Sequence, residues 1–291
     1  MRQIKNLAVL LTCFNRRETT LKCLRSLYGQ TLSDDIEIET YLVDDGCTDG
    51  TGDAVKKQFP NVNIIQSDGN LFWCGGMRLA WAEAMRVGYD YYIWLNDDTI
   101  LYPGAIKTLI KTVCDLKKVE RTAGIVVGST CDPETGKLTY GGVVRTSKWR
   151  PLNLRKVVPS DKLLKCDTMN GNCVLIPKEV ANDVGNISLE FTHTMGDIDY
   201  GFRAFRKGVP IYVAPGNIGE CSNNPAARWT NPEVNFKERL REVRSPKGLP
   251  PDEWSIFVRR HAGILWPYYI FTLRLRTMFP YLWCWRRKIF G

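Results

Sequence analysis

Several common nucleotide-binding and metal-binding signatures are missing from this sequence of 291 residues. It contains no GxxxxGK[ST] phosphate loop, and no strand is followed by a GxGxxG turn, so neither a P-loop protein nor a typical dinucleotide-binding domain is indicated. The ten cysteines form no CxxC pair and no tight cluster with histidine, so the spacing of zinc sites is absent too. Because a chain of this length buries a large core without disulfides, we expect reduced thiols and a cytoplasmic protein.

Acidic residues are absent from the C-terminal segment, residues 254–291. Seven of the nine excess positive charges lie there, which leaves a net charge of +2 for residues 1–253. A near-neutral body does not indicate nucleic acid, whereas a basic aromatic tail indicates an anionic surface, with a membrane as the first candidate. The longest uncharged run has only 13 residues, fewer than the roughly 20 that span a bilayer. We expect a helix pair lying in the membrane interface, the alternatives being a tail packed on the body or a homodimer contact.

Apolar runs and helical patterns alternate through the first 122 residues, as in "LAVLLTCFNRRETTLKCLRSLYGQ" and "DYYIWLND". Such alternation predicts an α/β fold with a mostly parallel central sheet flanked by helices. Strand and turn patterns dominate afterwards, up to "RSPKGLPPDEW". The predicted organisation is therefore a catalytic or binding domain over residues 1–243, consisting of the halves 1–122 and 123–243, a linker over 244–253, and the tail.

Polar clusters follow three of the predicted strands, at residues 12–17, 44–49 and 96–99. The carboxyl ends of parallel strands meet at one edge of a sheet, and ligands bind there. Asp97 and Asp98 follow the buried strand with no Lys or Arg beside them in the sequence, so another charge must offset their repulsion. A divalent cation between Asp side chains and a pyrophosphate would do so, which indicates a magnesium-type site.

Five motifs in this order resemble those of the inverting family-2 glycosyltransferases of the GT-A fold, and most closely the bacterial rhamnosyltransferase type. They are "LLTCFNRRETTLKCLRSL", "VDDGCTDGT", "GNLFWCGGMRLAW", "WLNDDT" and "GDIDYGFRAFRKG". The resemblance covers roughly residues 4–218 and implies a Rossmann-like GT-A domain that binds a nucleotide-sugar donor.

The resemblance also implies roles for single residues on the donor side. Thr12 and Asp45 would contact the nucleotide base, with the carboxylate of Asp45 accepting from a pyrimidine N3–H. The loop "GNLFWCGGMRLAW" would cover the donor, with helix N–H groups and close backbone approach at the diphosphate. The residues expected on this donor side are Thr12, Asn15, Asp44, Asp45, Asn70, Gly75, Gly76, Arg78 and Asp97.

The metal and the catalytic base are implied in the same way. Asp98 would be the direct ligand of Mg²⁺ or Mn²⁺, and Asn96 stands where the family's DxD motif has its first carboxylate. Asp197 would be the general base that takes the proton of the acceptor hydroxyl. The residues expected on the acceptor side are Trp73, Asn170, Gly171 and His193.

The implied activity is transfer of a sugar from a nucleoside-diphosphate donor to a lipid-linked saccharide in cell-surface polysaccharide synthesis. The first candidate for the donor is dTDP-L-rhamnose, and the next is a UDP-sugar such as UDP-galactofuranose. The enzyme would work in the cytoplasm, peripherally on the inner face of the cell membrane. Two alternatives are a sugar-nucleotide nucleotidyltransferase and a membrane-docked saccharide-binding subunit.

Overall fold

A computed structural model describes residues 5–225 and 227–281 of the chain. Its strands are β1 (Lys5–Cys13), β2 (Ile36–Asp44), β3 (Asn63–Gln66), β4 (Tyr91–Leu95), β5 (Ile100–Leu101), β6 (Ile125–Cys131), β7 (Leu138–Tyr140), β8 (Gly142–Arg145), β9 (Leu154–Lys156), β10 (Leu164–Lys165), β11 (Thr168–Met169), β12 (Cys173–Pro177) and β13 (Ile211–Glu220). Its α-helices are α1 (Arg17–Tyr28), α2 (Thr51–Gln58), α3 (Phe72–Val87), α4 (Ala105–Glu120), α5 (Lys178–Val184), α6 (Gly196–Arg206), α7 (Phe236–Arg244), α8 (Pro251–His261) and α9 (Trp266–Met278).

The central sheet has the strand order β10-β13-β6-β12-β4-β1-β2-β3. Strands β4, β1, β2 and β3 run parallel, which confirms the predicted α/β fold. Strand β12, from the second half of the chain, pairs antiparallel with both β4 and β6. The second half therefore joins the sheet directly beside the strand that ends at the two adjacent carboxylates.

Strand β4 is buried on both faces of the sheet. Tyr92 and Trp94 belong to the hydrophobic cluster that includes α3 and α6, whereas Ile93 and Leu95 belong to the cluster that includes α1 and α4. A strand covered by helices on both sides has no polar face, which explains why "YYIWL" is a continuous hydrophobic run.

The C-terminal segment differs from the predicted membrane tail. Helix α7 ends at Arg244 and α8 begins at Pro251, so the connection between them is shorter than the predicted linker. Phe257 and Val258 of α8 lie in the same core cluster as the inner residues of α3 and α6. Helix α8 therefore packs on the body, as in one of the alternatives to the membrane interpretation. Residues 282–291 of the predicted tail lie outside the described residues, and within the described part of the chain no helix has the length and apolarity needed to cross a membrane.

A buried carboxylate, that of Asp199 on α6, fastens α8 to the domain. His261 on α8 places Nε2 2.8 Å from Asp199 Oδ1, and Arg203 donates from Nε to Oδ2 at 2.8 Å. Arg260 adds a contact of 3.3 Å from Nη1. Burial alone would raise the pKa of Asp199, but the contacts with His261 and Arg203 outweigh it and lower that pKa to about 2. The carboxylate is therefore ionised and fully compensated inside the protein.

Asp199→Asn is expected to lower the free energy of unfolding by about 3–5 kcal/mol, because it removes one partner of a buried, hydrogen-bonded charge cluster. Urea unfolding at pH 7 measures the effect, with Asp183→Asn as the control, since Asp183 forms an exposed ion pair with Lys207. The folded-state pKa of Asp199 lies below its unfolded value of about 3.9, so the stabilisation is present above that pH and is lost as the pH falls towards 2. Equal effects of the two substitutions would contradict this role of Asp199.

Candidate active site

A cavity of about 200 Å³ opens at the carboxyl ends of the parallel strands. Its walls include Thr12 from β1, Asp45 after β2 and Asp97 after β4, so the three predicted polar clusters do converge. The other lining residues are Cys13, Phe14, Arg16, Gly69, Phe72, Trp73, His193 and Lys247. A second cavity, of about 310 Å³, lies at the opposite end of the strands beside Lys5 and Pro177, and the predicted site residues do not line it.

The two adjacent carboxylates after β4 share one guanidinium group. Arg16 Nη1 lies 2.8 Å from Asp98 Oδ2 and 3.2 Å from Asp97 Oδ1. Burial raises the pKa of Asp97 to about 7; Arg16 opposes this shift and Asp98 adds to it. No Lys or Arg is adjacent to Asp97 and Asp98 in the sequence, but the fold brings Arg16 to them from the turn after β1.

A divalent cation fits the carboxylate of Asp98 better than the side chain of Asn96. The side chain of Asp98 is 25% exposed beside the cavity, and a carboxylate that acts together with substrate phosphates is the usual site for Mg²⁺. The amide oxygen of Asn96 already accepts a 2.7 Å hydrogen bond from Trp73 Nε1. Asn96 thus orients the indole ring of Trp73. The amide oxygen that the prediction assigned to a metal is occupied by this hydrogen bond.

The carboxylate of Asp45 fixes the start of α3. It accepts hydrogen bonds from Leu71 N at 3.2 Å, Phe72 N at 2.9 Å and Ser67 Oγ at 2.6 Å. The two backbone bonds support the beginning of α3 at Phe72, inside the stretch that was predicted as a loop over the donor. Asp45 therefore lines the cavity and also fixes the start of α3, whose residues Phe72 and Trp73 form part of the cavity wall.

The backbone N–H groups at the start of α3 already have partners within the protein. Beyond the two that Asp45 accepts, Trp73 N lies 3.4 Å from His193 Nδ1, and Cys74 N donates to Thr192 O at 3.1 Å. The prediction that this helix start offers N–H groups to the diphosphate is therefore wrong for this conformation. Its amides connect α3 to the loop before α6 instead.

Gly75 and Gly76 lie inside α3, not in a loop over the donor. A Cβ atom at Gly76 would stand 2.1 Å from Thr12 Oγ1, so glycine is required for the contact of α3 with β1. Arg78, which we expected near phosphate, donates from Nη1 to Ser188 O at 2.7 Å. These residues lie behind the wall of the cavity and do not line its interior.

The remaining predicted donor residues hold the turns that flank the cavity. Asn15 Oδ1 accepts from Thr48 N at 2.7 Å, and Asp44 Oδ1 accepts from Cys47 N at 2.8 Å. Asn70 is exposed, and its backbone N–H donates to Asp68. Asn15 therefore ties the turn after β1 to the turn after β2, whereas Asp44 stabilises the second turn internally.

The predicted base, Asp197, lies at the start of α6 against the wall formed by Trp73. Its oxygens accept from Gly171 N at 3.0 Å and from Ile198 N at 2.8 Å. Gly171 separates the two side chains, since a Cβ atom there would meet the Trp73 ring at 2.5 Å and Asp197 Cβ at 3.3 Å. Burial raises the pKa of Asp197, while both backbone hydrogen bonds oppose the shift. A carboxylate with a raised pKa is suited to accept a proton.

The residues predicted on the acceptor side lie close to one another. Asn170 precedes Gly171, and its backbone N–H donates to Gly141 O at 2.9 Å. His193 lines the cavity, and burial together with Lys247 and Arg16 lowers its pKa to about 4. His193 is therefore neutral at pH 7, and its Nδ1 can accept from the backbone.

Sequence reasoning missed three residues near the carboxylates. They are Arg16, Lys247, which lines the cavity from the predicted linker, and Cys221, whose Sγ lies 3.4 Å from Asp98 Oδ1. Arg16 belongs to the first polar cluster, so its charge was a usable signal. Lys247 and Cys221 are distant in sequence from every motif, and no local pattern points to them.

The family model described as Glycosyl transferase family 2 matches residues 8–180, more than half of the chain. This chain belongs to glycosyl transferase family 2. It is 21% identical over 226 residues to the N-acetylglucosaminyl-diphospho-decaprenol L-rhamnosyltransferase of two Mycobacterium tuberculosis strains, CDC 1551 / Oshkosh and ATCC 25618 / H37Rv. That match covers 67% of this chain and 70% of the relative. The family-2 chain is therefore a glycosyltransferase, and the nucleotidyltransferase and binding-subunit alternatives are set aside.

A solved structure has the same fold as this family-2 enzyme. It is the mannosyltransferase PcManGT from Pyrobaculum calidifontis in complex with GDP-Man and Mn²⁺, with a TM-score of 0.55 and 14% sequence identity. The likeness covers 95% of this chain and 71% of the mannosyltransferase. It confirms the GT-A fold.

Gly76→Ala is expected to lower the free energy of unfolding by about 1–3 kcal/mol, because the new methyl group overlaps Thr12 and must push α3 away from β1. Gly75→Ala is the matched control: its Cβ would meet Leu71 Cβ at 3.1 Å, a contact that a shift of a few tenths of an ångström relieves, and its effect should stay within about 1 kcal/mol. Urea unfolding of both variants measures the difference. Two stable variants that both lose donor affinity would show that these glycines face the diphosphate after all.

Proposed function

We propose that this enzyme transfers a sugar, with inversion at the anomeric carbon, from a nucleoside-diphosphate donor to a lipid-linked saccharide. The observation that carries the proposal is the contact of Asp197 with the wall of Trp73 and Gly171, beside a cavity lined by Asp45 and Asp97. Two carboxylates thus line the cavity, and a base with a raised pKa lies behind Gly171 next to Trp73, which also lines it. dTDP-L-rhamnose is the first candidate donor and UDP-galactofuranose the next, since the Mycobacterium relative is named as an L-rhamnosyltransferase acting on a diphospho-decaprenol acceptor.

In the proposed reaction one side of the site activates the acceptor hydroxyl, and the other side binds the donor. The acceptor hydroxyl loses its proton to a carboxylate oxygen of Asp197 while its oxygen forms a bond to the anomeric carbon. The bond from that carbon to the donor diphosphate breaks, and the electron pair leaves with the nucleoside diphosphate. A divalent cation such as Mg²⁺ or Mn²⁺ would be held by Asp98 and would neutralise diphosphate charge. Thr12 and Asp45 are placed to contact the nucleotide.

The two backbone hydrogen bonds to Asp197 orient its carboxylate before substrate arrives. Gly171 N and Ile198 N each occupy one oxygen, so the carboxylate cannot rotate freely. Trp73, locked by Asn96, provides a flat apolar surface beside it, and sugar faces pack well on such surfaces. This arrangement supports an acceptor sugar that packs on the indole ring, with Gly171 between that ring and Asp197.

Asp197→Asn is expected to abolish sugar transfer, because an amide cannot accept the hydroxyl proton, while donor binding persists. A thermal-shift panel of nucleotide sugars with and without Mn²⁺ measures binding, and a donor that stabilises the wild-type protein should stabilise the variant equally. In the wild-type enzyme, transfer should rise with pH through the raised pKa of Asp197, since the base must be ionised. Asp183→Asn, on the neighbouring helix α5, is the control. Near-normal turnover of Asp197→Asn would refute the base assignment.

We also propose that α9 lies on an anionic membrane surface, where the lipid-linked acceptor is found. Its residues Tyr268, Phe271 and Leu275 are 44%, 59% and 38% exposed and recur at helical spacing on one side. Leu273 and Thr277 are buried on the opposite side. Arg274 is exposed beside the apolar stripe, as in helices that lie in the interface of a bilayer with anionic lipid.

The triple variant Tyr268→Ser, Phe271→Ser, Leu275→Ser is expected to bind vesicles of phosphatidylglycerol and phosphatidylcholine at least about tenfold more weakly, because it removes the apolar stripe. Sedimentation with vesicles measures binding. The control is Val119→Ser, Val158→Ser, Leu189→Ser, three apolar residues exposed elsewhere. Unchanged vesicle binding contradicts the membrane surface, and a wild-type dimer that the triple variant dissociates would assign the stripe to a second copy.

A further inference from the structure

The Asp97–Asp98 pair has its compensating cation within the chain. Arg16 precedes α1, and its Nη1 contacts an oxygen of each carboxylate, at 3.2 and 2.8 Å. The guanidinium carries one positive charge, whereas the pair carries two negative charges once both carboxylates are ionised. The group is therefore not fully neutralised, and further positive charge is favoured there.

The backbone around Arg16 is held firmly, but its side chain is not enclosed. Asn15 is tied to Thr48, and Arg17 N donates to Asp49 Oδ2 at 3.0 Å. The Arg16 side chain is 46% exposed and lines the cavity. Its guanidinium can therefore turn from the carboxylates into the cavity without any movement of the main chain.

A divalent cation on Asp98 would compete with the guanidinium of Arg16, which contacts Oδ2 of that carboxylate. A cation on Asp98 would lie within a few ångströms of Nη1, and like charges at that distance repel strongly. A guanidinium matches the geometry of phosphate oxygens and is the usual partner of phosphate in proteins. When a cation displaces Arg16 from the carboxylates of Asp97 and Asp98, a diphosphate in the cavity can therefore bind its guanidinium instead.

We propose that Arg16 shields Asp97 and Asp98 from divalent cations in the donor-free enzyme and moves to the donor diphosphate when donor and cation enter together. The inference rests on the proposed nucleotide-sugar donor. It makes cation binding depend on the donor, and it makes Arg16 a donor-binding residue.

The test compares Arg16→Gln with Arg17→Gln, an adjacent arginine that pairs only with Glu18 among the ion pairs of the described residues. Free Mn²⁺ measured by electron paramagnetic resonance gives the metal affinity of the donor-free protein. Arg16→Gln should bind Mn²⁺ roughly tenfold more tightly, equivalent to about 1.4 kcal/mol, and Asp98→Asn in the same variant should abolish the gain. Calorimetry with dTDP and UDP in the presence of Mn²⁺ should show a loss of diphosphate affinity of similar size. Arg17→Gln should change neither quantity.

Arg16→Lys provides a second variant in case the glutamine variant folds poorly. It keeps the positive charge without the planar fork, so Mn²⁺ affinity should stay low while diphosphate affinity falls. Weaker Mn²⁺ binding by Arg16→Gln, or no change in either affinity, would overturn the proposal. If the wild-type protein binds neither dTDP nor UDP, the proposed donor class fails, and the Mn²⁺ measurements still decide whether Arg16 shields the carboxylates.

Discussion

The balance of charge at the end of β4 is the constraint on which the site depends. A strand buried on both faces delivers Asp97 and Asp98 into a partly buried position, where two carboxylates alone would repel each other. Arg16 offsets that repulsion from the end of β1, the neighbouring parallel strand. The pairing of β1 with β4 therefore fixes both the cavity and the charge within it.

The second half of the chain completes the site through the other edge of β4. Because β12 pairs antiparallel with β4, the loop before β12 brings Gly171 to the same end of the sheet as Asn96. Gly171 in turn receives Asp197 from α6. Strand β4 thus brings the carboxylates after it and the proposed base to the same end of the sheet. The contact of Asp199 with His261 holds α8 against α6.

Polar groups at the start of α3 both line the cavity and stabilise the helix. Asp45 lines the cavity, yet its oxygens accept from the first N–H groups of α3. His193 and Thr192 take the next two N–H groups, which links α3 to the loop that precedes α6. A helix start whose amides are already satisfied cannot supply the diphosphate site in this conformation, so positive side chains such as Arg16 become the candidates for that role.

The sequence by itself determined the fold class, the convergence of the polar turns and the position of Asp197 at a helix start. These follow from local periodicity and from the rule that parallel strands end at one edge, and neither needs knowledge of distant contacts. Only the tertiary structure decided the partners: Arg16 for the carboxylates, Trp73 for Asn96, Thr12 for Gly76 and His261 for Asp199. It also decided that α8 belongs to the core, because an aromatic basic helix has the same sequence pattern whether its apolar side faces lipid or another helix. Side-chain partners depend on distances between residues far apart along the chain, and local sequence patterns do not encode those distances.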